Sequence, residues 1–196
     1  IEVAHQVRQH KSLSLRERLV AYLPDYARHA ARWAWLLNAR NRMPWLAQWG
    51  ERVLGIAAQR SLPVWEPRHF FNRGTMGVSA AQALQSDKAV VLFVDTFNGH
   101  FESEIALDAF KVLNACGYDV HVAAKSTQGH GANEGHLCCG RTYLATGLMA
   151  QARGKALELL AALKPFAEKG IAIVGLEPSC LLTLRDEYLG LGLGPD

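Results

Sequence analysis

Six consecutive uncharged apolar residues, Ala89-Val90-Val91-Leu92-Phe93-Val94, constrain this chain most. The run is too short to span a membrane and shows no alternation, so it reads as a strand buried on both faces. An apolar helical pattern over residues 102–116 follows and stops at Gly117, a glycine terminator. Residues 118–123, with Val120 and Val122 alternating, predict a second strand. A polar, Gly-containing loop over 125–136 leads to a long helical pattern over 142–163. Gly170 punctuates, residues 171–175 predict a third strand, and Pro178 opens a last helix running to about residue 188. Strands alternating with helices through short connections predict an α/β domain over 86–196, a parallel sheet with covering helices.

The region before it has a different texture. Residues 1–85 predict an α-helical extension and a linker, with helices over 12–23, 25–42 and 45–59. Residues 62–67 must be extended, and 70–85 read as a linker or loose strap. Residues 1–80 carry 12 Lys/Arg against 5 Asp/Glu, a surplus of 7, whereas the remainder has an acidic surplus of 4. The positive residues recur at helical intervals rather than in a cluster. They read as a solvated face, and nucleic acid is not expected as a partner. Trp33, Trp35, Trp45 and Trp49 are expected to bury their rings against a partner domain.

Composition narrows the class further. With 49% hydrophobic and 20% charged residues the chain is globular, and no stretch is long and apolar enough for a transmembrane helix. The opening Ile1-Glu2-Val3-Ala4-His5 lacks Met and any signal-peptide pattern, so we expect the sequence to start inside a longer protein. Four cysteines, two of them the neighbours Cys138-Cys139, suit metal or redox chemistry better than a disulfide scaffold. A reducing cytoplasm is the expected compartment.

Open parallel sheets bind ligands beyond the carboxyl ends of their strands. Three junctions meet there: Asp95-Thr96-Phe97-Asn98-Gly99-His100, then Cys138-Cys139-Gly140, then Leu176-Glu177-Pro178-Ser179-Cys180. Three cysteines thus stand at helix starts, where the helix dipole favours thiolate, the metal-ligating form. Cys116, at a helix end, is expected outside the site. Neighbouring thiolates suit a multi-iron cluster better than a tetrahedral zinc. His130 and His136 flank Glu134 and could touch a metal, but they read first as solvated loop residues. Arg185-Asp186-Glu187 reads as helix surface, and Gly190-Leu191-Gly192-Leu193-Gly194 as a loose terminus rather than a nucleotide loop.

Leu137-Cys138-Cys139-Gly140-Arg141-Thr142, Gly175-Leu176-Glu177-Pro178-Ser179-Cys180 and Leu184-Arg185-Asp186-Glu187-Tyr188 together resemble the cysteine-rich CCG domain of iron–sulphur oxidoreductase subunits. The nearest version is the one fused to FAD-linked oxidases of the D-lactate, glycolate and D-2-hydroxyglutarate dehydrogenase type. There Asp-Thr-Phe follows the first strand, as Asp95-Thr96-Phe97 does here, and the helical extension looks like the segment after the ferredoxin-like motifs. The resemblance implies a Rossmann-like sheet, an iron–sulphur cluster of the 4Fe–4S kind on Cys138, Cys139 and Cys180, and FAD in an N-terminal part of a parent chain. The fuller pattern has five cysteines. Here the first falls at Asp95 or Thr96 and the last pair reads Glu177-x-x-Cys180, so Glu177, His100 or another domain would supply a fourth ligand.

The function implied is electron transfer from a FAD-linked 2-hydroxy acid dehydrogenase, through ferredoxin-like clusters, to a quinone or protein acceptor. This fragment would not be catalytic by itself, and would sit at the inner face of a membrane only through its acceptor. The alternatives are a docking domain with a degenerate, zinc-binding or empty metal site, and a thiol-redox site in which Cys138 and Cys139 pair.

Overall fold

The structure, a computed structural model, describes residues 2–74, 76–125 and 136–194. Three parallel strands, β1 (Ala89–Phe93), β2 (Asp119–Val122) and β3 (Ala172–Gly175), lie in the order β2-β1-β3. β1 pairs Val90 with Val120 on one side and with Ala172 on the other. The central position of β1 explains its unbroken apolar run. Val91 and Phe93 enter one core layer, with Leu159, Leu163 and Phe166. Val90, Leu92 and Val94 enter the other, with Phe70 and Ala106. The α/β class read from the sequence is therefore the observed one.

The connections are α7 (Thr96–His100), α8 (Ser103–Ala115), α9 (Arg141–Ala145), α10 (Met149–Glu168) and α11 (Pro178–Arg185). The single helix expected over 142–163 is instead the pair α9 and α10. Gly147 separates them with φ +77°, and a Cβ there would lie 2.4 Å from the Ala4 carbonyl oxygen. α10 also continues past Pro165, because Leu163 and Phe166 are both buried in the first core layer and hold that last turn against the sheet. The last helix is shorter than expected and passes into a 3₁₀ turn at Glu187–Gly190.

The extension comprises α1 (Glu2–His10), α2 (Leu15–Ala21), α3 (Leu23–Ala30), α4 (Ala34–Arg42) and α5 (Pro44–Leu54). Ser14 and Glu17 form a reciprocal capping box that starts α2, satisfying two otherwise unpaired backbone N–H groups. Pro24 does not end a helix; it sits in the first turn of α3, where its missing N–H costs nothing. The expected helix over 25–42 is split by a 3₁₀ turn at Ala31–Trp33. α5 stops at Gly55, in the left-handed conformation, short of the expected residue 59.

This extension packs on the α/β unit at several points. Arg8 Nε donates to the Thr146 carbonyl at 3.0 Å, and Thr142 Oγ1 donates to the Ala21 carbonyl at 2.9 Å. Trp65 packs on Phe101 with ring centroids 4.4 Å apart. Between them runs the strap, with a 3₁₀ turn at Phe70–Asn72 and a short helix α6 (Ala80–Ala83). It crosses the outer side of β2, where Gly77 bridges His121 and Val78 N–H donates to the Val120 carbonyl at 2.9 Å.

Candidate functional site

All three junctions lie beyond the carboxyl ends of the strands, and two of them bring cysteines into contact. Cys139 precedes α9 and Cys180 occupies the first turn of α11, yet the Cys139 thiol donates to Cys180 Sγ at 3.0 Å. Both are buried and belong to the core layer around Val91 and Phe93. Cys138 is buried beside them and accepts the Gly140 N–H at 3.4 Å. Gly140 itself has φ +80°, and a Cβ there would meet the Ala152 carbonyl oxygen at 3.0 Å. The third residue of Cys-Cys-Gly must therefore be glycine for the chain to turn into α9 so close to α10.

Further ties fix the loop. Tyr188 donates its hydroxyl to the Cys139 carbonyl at 2.9 Å. Arg141 bridges α9 to α11 and to the turn after it, donating to Thr183 Oγ1 at 3.1 Å and to Glu187 at 2.7 Å. Glu187, read from sequence as plain helix surface, is thus part of the frame around the cysteines.

The protonation of these thiols departs from the sequence expectation. The adjacent Cys139 thiol and then burial push Cys138 well above the usual range. For Cys139 a hydrogen bond from Cys138 acts downward, but the Cys180 thiol and burial prevail and push it up to about 12. The helix-start argument for a ready thiolate fails at these two positions because the neighbouring protonated thiols, and then burial, outweigh one short helix.

The other candidate residues serve mostly as caps. Asp95 Oδ1 accepts from the N–H groups of Phe97 and Asn98, and Oδ2 accepts from Asn98 Nδ2, so this buried carboxylate is committed to starting α7. Glu177 caps α11, accepting from Ser179 N–H at 3.2 Å and from its hydroxyl at 2.7 Å. Thr96 is different: its buried hydroxyl lies beside Cys138 and acts to lower that thiol's pKa. Cys116 is exposed at the end of α8, outside the site as expected.

His100 stands in a cluster that sequence spacing could not show. Its Nδ1 donates to the Thr96 carbonyl at 3.1 Å, and its ring centroid lies 4.6 Å from His69 and 4.9 Å from His136. His136 is half-buried here, not a solvated loop residue; His130 and Glu134 lie outside the described residues. Positions 69, 100 and 136 are brought together only by the strap, α7 and the approach to α9, so no local pattern marks them.

The donor set of Cys138, Cys139 and Cys180 suits a soft, thiolate-bound metal, and the Thr96 hydroxyl beside Cys138 is placed to favour a thiolate there. As the side chains stand, however, no group of three His, Cys, Asp or Glu among the described residues is spaced to hold an ion. The thiols are packed to keep their protons. Loading a metal requires deprotonation and a turn of the side chains. Comparison with family models, with curated proteins and with solved structures finds no match to this chain. No helix among the described residues is long and apolar enough to cross a membrane.

Proposed function

We propose that this chain is an electron-transfer module, a CCG-type domain that binds an iron–sulphur cluster within a larger FAD-linked 2-hydroxy acid dehydrogenase. The observation that carries the reading is the meeting of Cys139 and Cys180 at 3.0 Å, with Cys138 alongside. These thiols stand 41 residues apart in the sequence, at two different strand–helix junctions, and vicinal thiolates can reach different irons of one cluster. The chain's own residues would hold the cluster, shield it in the core and supply the Thr96 hydroxyl to a ligating sulphur. Flavin chemistry would belong to the parent chain, and the acceptor would be a quinone or protein. The test is anaerobic reconstitution followed by iron and acid-labile sulphide analysis. Iron should rise in the wild type and fail to rise in Cys139→Ser and Cys180→Ser. Equal iron in wild type and variants sinks the reading.

A docking role for the extension is the second reading, supported by its surface. Trp35 and Trp45 are 72% and 66% exposed, and Trp33 and Trp49 are also open. They stand in a region with 11 Arg and one Lys up to residue 80. Protein interfaces favour that combination, since Trp and Arg are enriched there and Lys is depleted.

A further inference from the structure

The helix pair α4 and α5, joined through Met43 alone, carries its large apolar side chains on the outside. The buried positions are the small ones, Ala34 in α4 and Ala47 and Gly50 in α5. Trp33, Trp35, Trp45 and Trp49 are exposed, as are Leu36 and Val53. A surface helix in water shows the reverse, with its apolar stripe turned to the core. Trp45, Trp49 and Val53 recur every fourth residue and so run in one stripe along α5. The helices have nine and eleven residues, about 14 and 17 Å, and are too short to cross a bilayer.

The pair is fastened from behind. Asn38 exchanges two hydrogen bonds with the backbone of Trp65, each 2.9 Å, and Asn41 does the same with Leu62 at 2.7 and 2.9 Å. Arg40 donates to the carbonyls of Ile56, Ala57 and Arg60, closing the chain after α5 onto α4. The outward side chains thus stand on a fixed frame rather than a loose tail.

Charge selects what covers them. Residues 26–65 hold six Arg, no Lys and a single carboxylate, Glu51. Arg32, Arg42, Arg52 and Arg60 are exposed, and none of them pairs with a carboxylate among the described residues. The covering surface must therefore be negative, and it must admit several indole rings. A membrane–water interface meets both demands: Trp settles at headgroup depth, and Arg forks take lipid phosphates in pairs. A folded acidic partner would need a fitted pocket for each ring.

We propose that the outward side of α4 and α5 binds directly to the surface of an anionic bilayer, with the tryptophans at headgroup depth and the arginines on lipid phosphates. This gives the docking reading of the extension its partner and rests on that reading; it does not involve the cysteines.

Sedimentation of the metal-free chain at physiological salt with vesicles of phosphatidylcholine, and of phosphatidylcholine mixed with phosphatidylglycerol, tests this. The chain should pellet with the mixed vesicles and stay in solution with the neutral ones. Tryptophan emission should shift to the blue on binding, and lipids brominated near the headgroup end of the acyl chain should quench it. Arg42→Gln should weaken binding about fivefold, the worth of one cation at an anionic surface. Trp35→Ala combined with Trp45→Ala should weaken it at least about tenfold by removing two rings from the apolar contact. All three side chains are exposed, so these variants should keep the urea midpoint of the unaltered chain. Soluble poly-glutamate, which offers charge without an apolar layer, should not displace the vesicles. No binding to mixed vesicles, equal binding to neutral ones, displacement by poly-glutamate, or binding that survives loss of both tryptophans overturns the proposal. If poly-glutamate binds and vesicles do not, the bilayer falls and docking to an acidic protein stands; if neither binds, the docking reading falls with it.

Discussion

Asp25 in α3 accepts a hydrogen bond from the Tyr143 hydroxyl in α9, 118 residues along the chain. Lys155 of α10 closes the group, donating to the other carboxylate oxygen at 2.7 Å. Burial acts to raise the Asp25 pKa, but the Lys155 and Tyr143 hydrogen bonds overcome it and hold the carboxyl below its usual range. Tyr143 is buried and packs edge-on against Tyr22 at 5.5 Å, so extension and sheet share a polar contact set in a packed interface. Tyr143→Phe keeps the ring and removes the donor. It should lower the unfolding free energy by about 1 kcal/mol, read from urea midpoints at neutral pH. Because the Asp25 pKa is depressed on folding, this contribution is full above the ordinary carboxylate range and fades as pH falls below it.

Cysteine reactivity should divide one against three. Cys116 is exposed, whereas Cys138, Cys139 and Cys180 are buried. A thiol-reactive dye at neutral pH should label one site per native chain quickly, and Cys116→Ala should remove it. Denaturant should release the other three. Fast labelling of more than one cysteine in the native chain would contradict the packing.

Metal uptake should depend steeply on pH. Cys139 holds its proton up to about 12 in the metal-free chain, and Cys138 is likewise shifted upward. Ligation must displace these protons, so apparent affinity should rise as pH rises through neutrality. Competition with a chromophoric chelator at pH 6.5 and 8.5 reads this directly, and a flat response would mean that other groups hold the metal.

Acid should weaken the fold well above the carboxylate range. Burial, with Arg28 adding to it, lowers His69 to about 4; burial, followed by His136 and His69, lowers His100 to about 3. The unfolded chain takes up protons near the ordinary histidine value of about 6.5, where the folded chain cannot. Stability is therefore full above that value and lost as pH drops towards 4, each ring adding a slope that approaches about 1.4 kcal/mol per pH unit. His100→Asn should flatten the pH dependence of the urea midpoint between pH 6.5 and 4.5.

Gly140→Ala should be costly for a surface-to-core turn of its size. The residue has φ +80°, and the new Cβ would press on the Ala152 backbone. A loss of about 1–3 kcal/mol is expected from strain alone, with faster labelling of Cys138 and Cys139 as the turn loosens. Calorimetric unfolding and the labelling assay check both.

Much of the sheet was legible because β1 is central: a strand buried on both faces leaves an apolar run with no alternation. The carboxyl-edge rule likewise anticipated the meeting of Cys139 and Cys180, since it follows from strand order alone. What escaped the sequence depends on tertiary contact. The break at Gly147 is set by the approach of Ala4, the high thiol pKa values by the meeting of the three thiols in a buried place, and the His69–His100–His136 cluster by three separated segments. The tryptophans of α4 and α5, expected to bury their rings against a partner domain, are exposed in this chain, on the face such a partner would cover.

The strap that crosses β2 also fixes the smallest piece worth making. A polypeptide begun at residue 86 would retain every strand, both cysteine junctions and all of α10. It would nevertheless lose the Gly77–His121 bridge and the Val78 hydrogen bond, leaving β2 as a bare margin open to a neighbouring molecule. Such a truncation would tend to stick to itself while keeping its chemistry intact on paper. Boundaries for expression are better drawn ahead of Phe70, whose side chain is already part of the sheet's second layer.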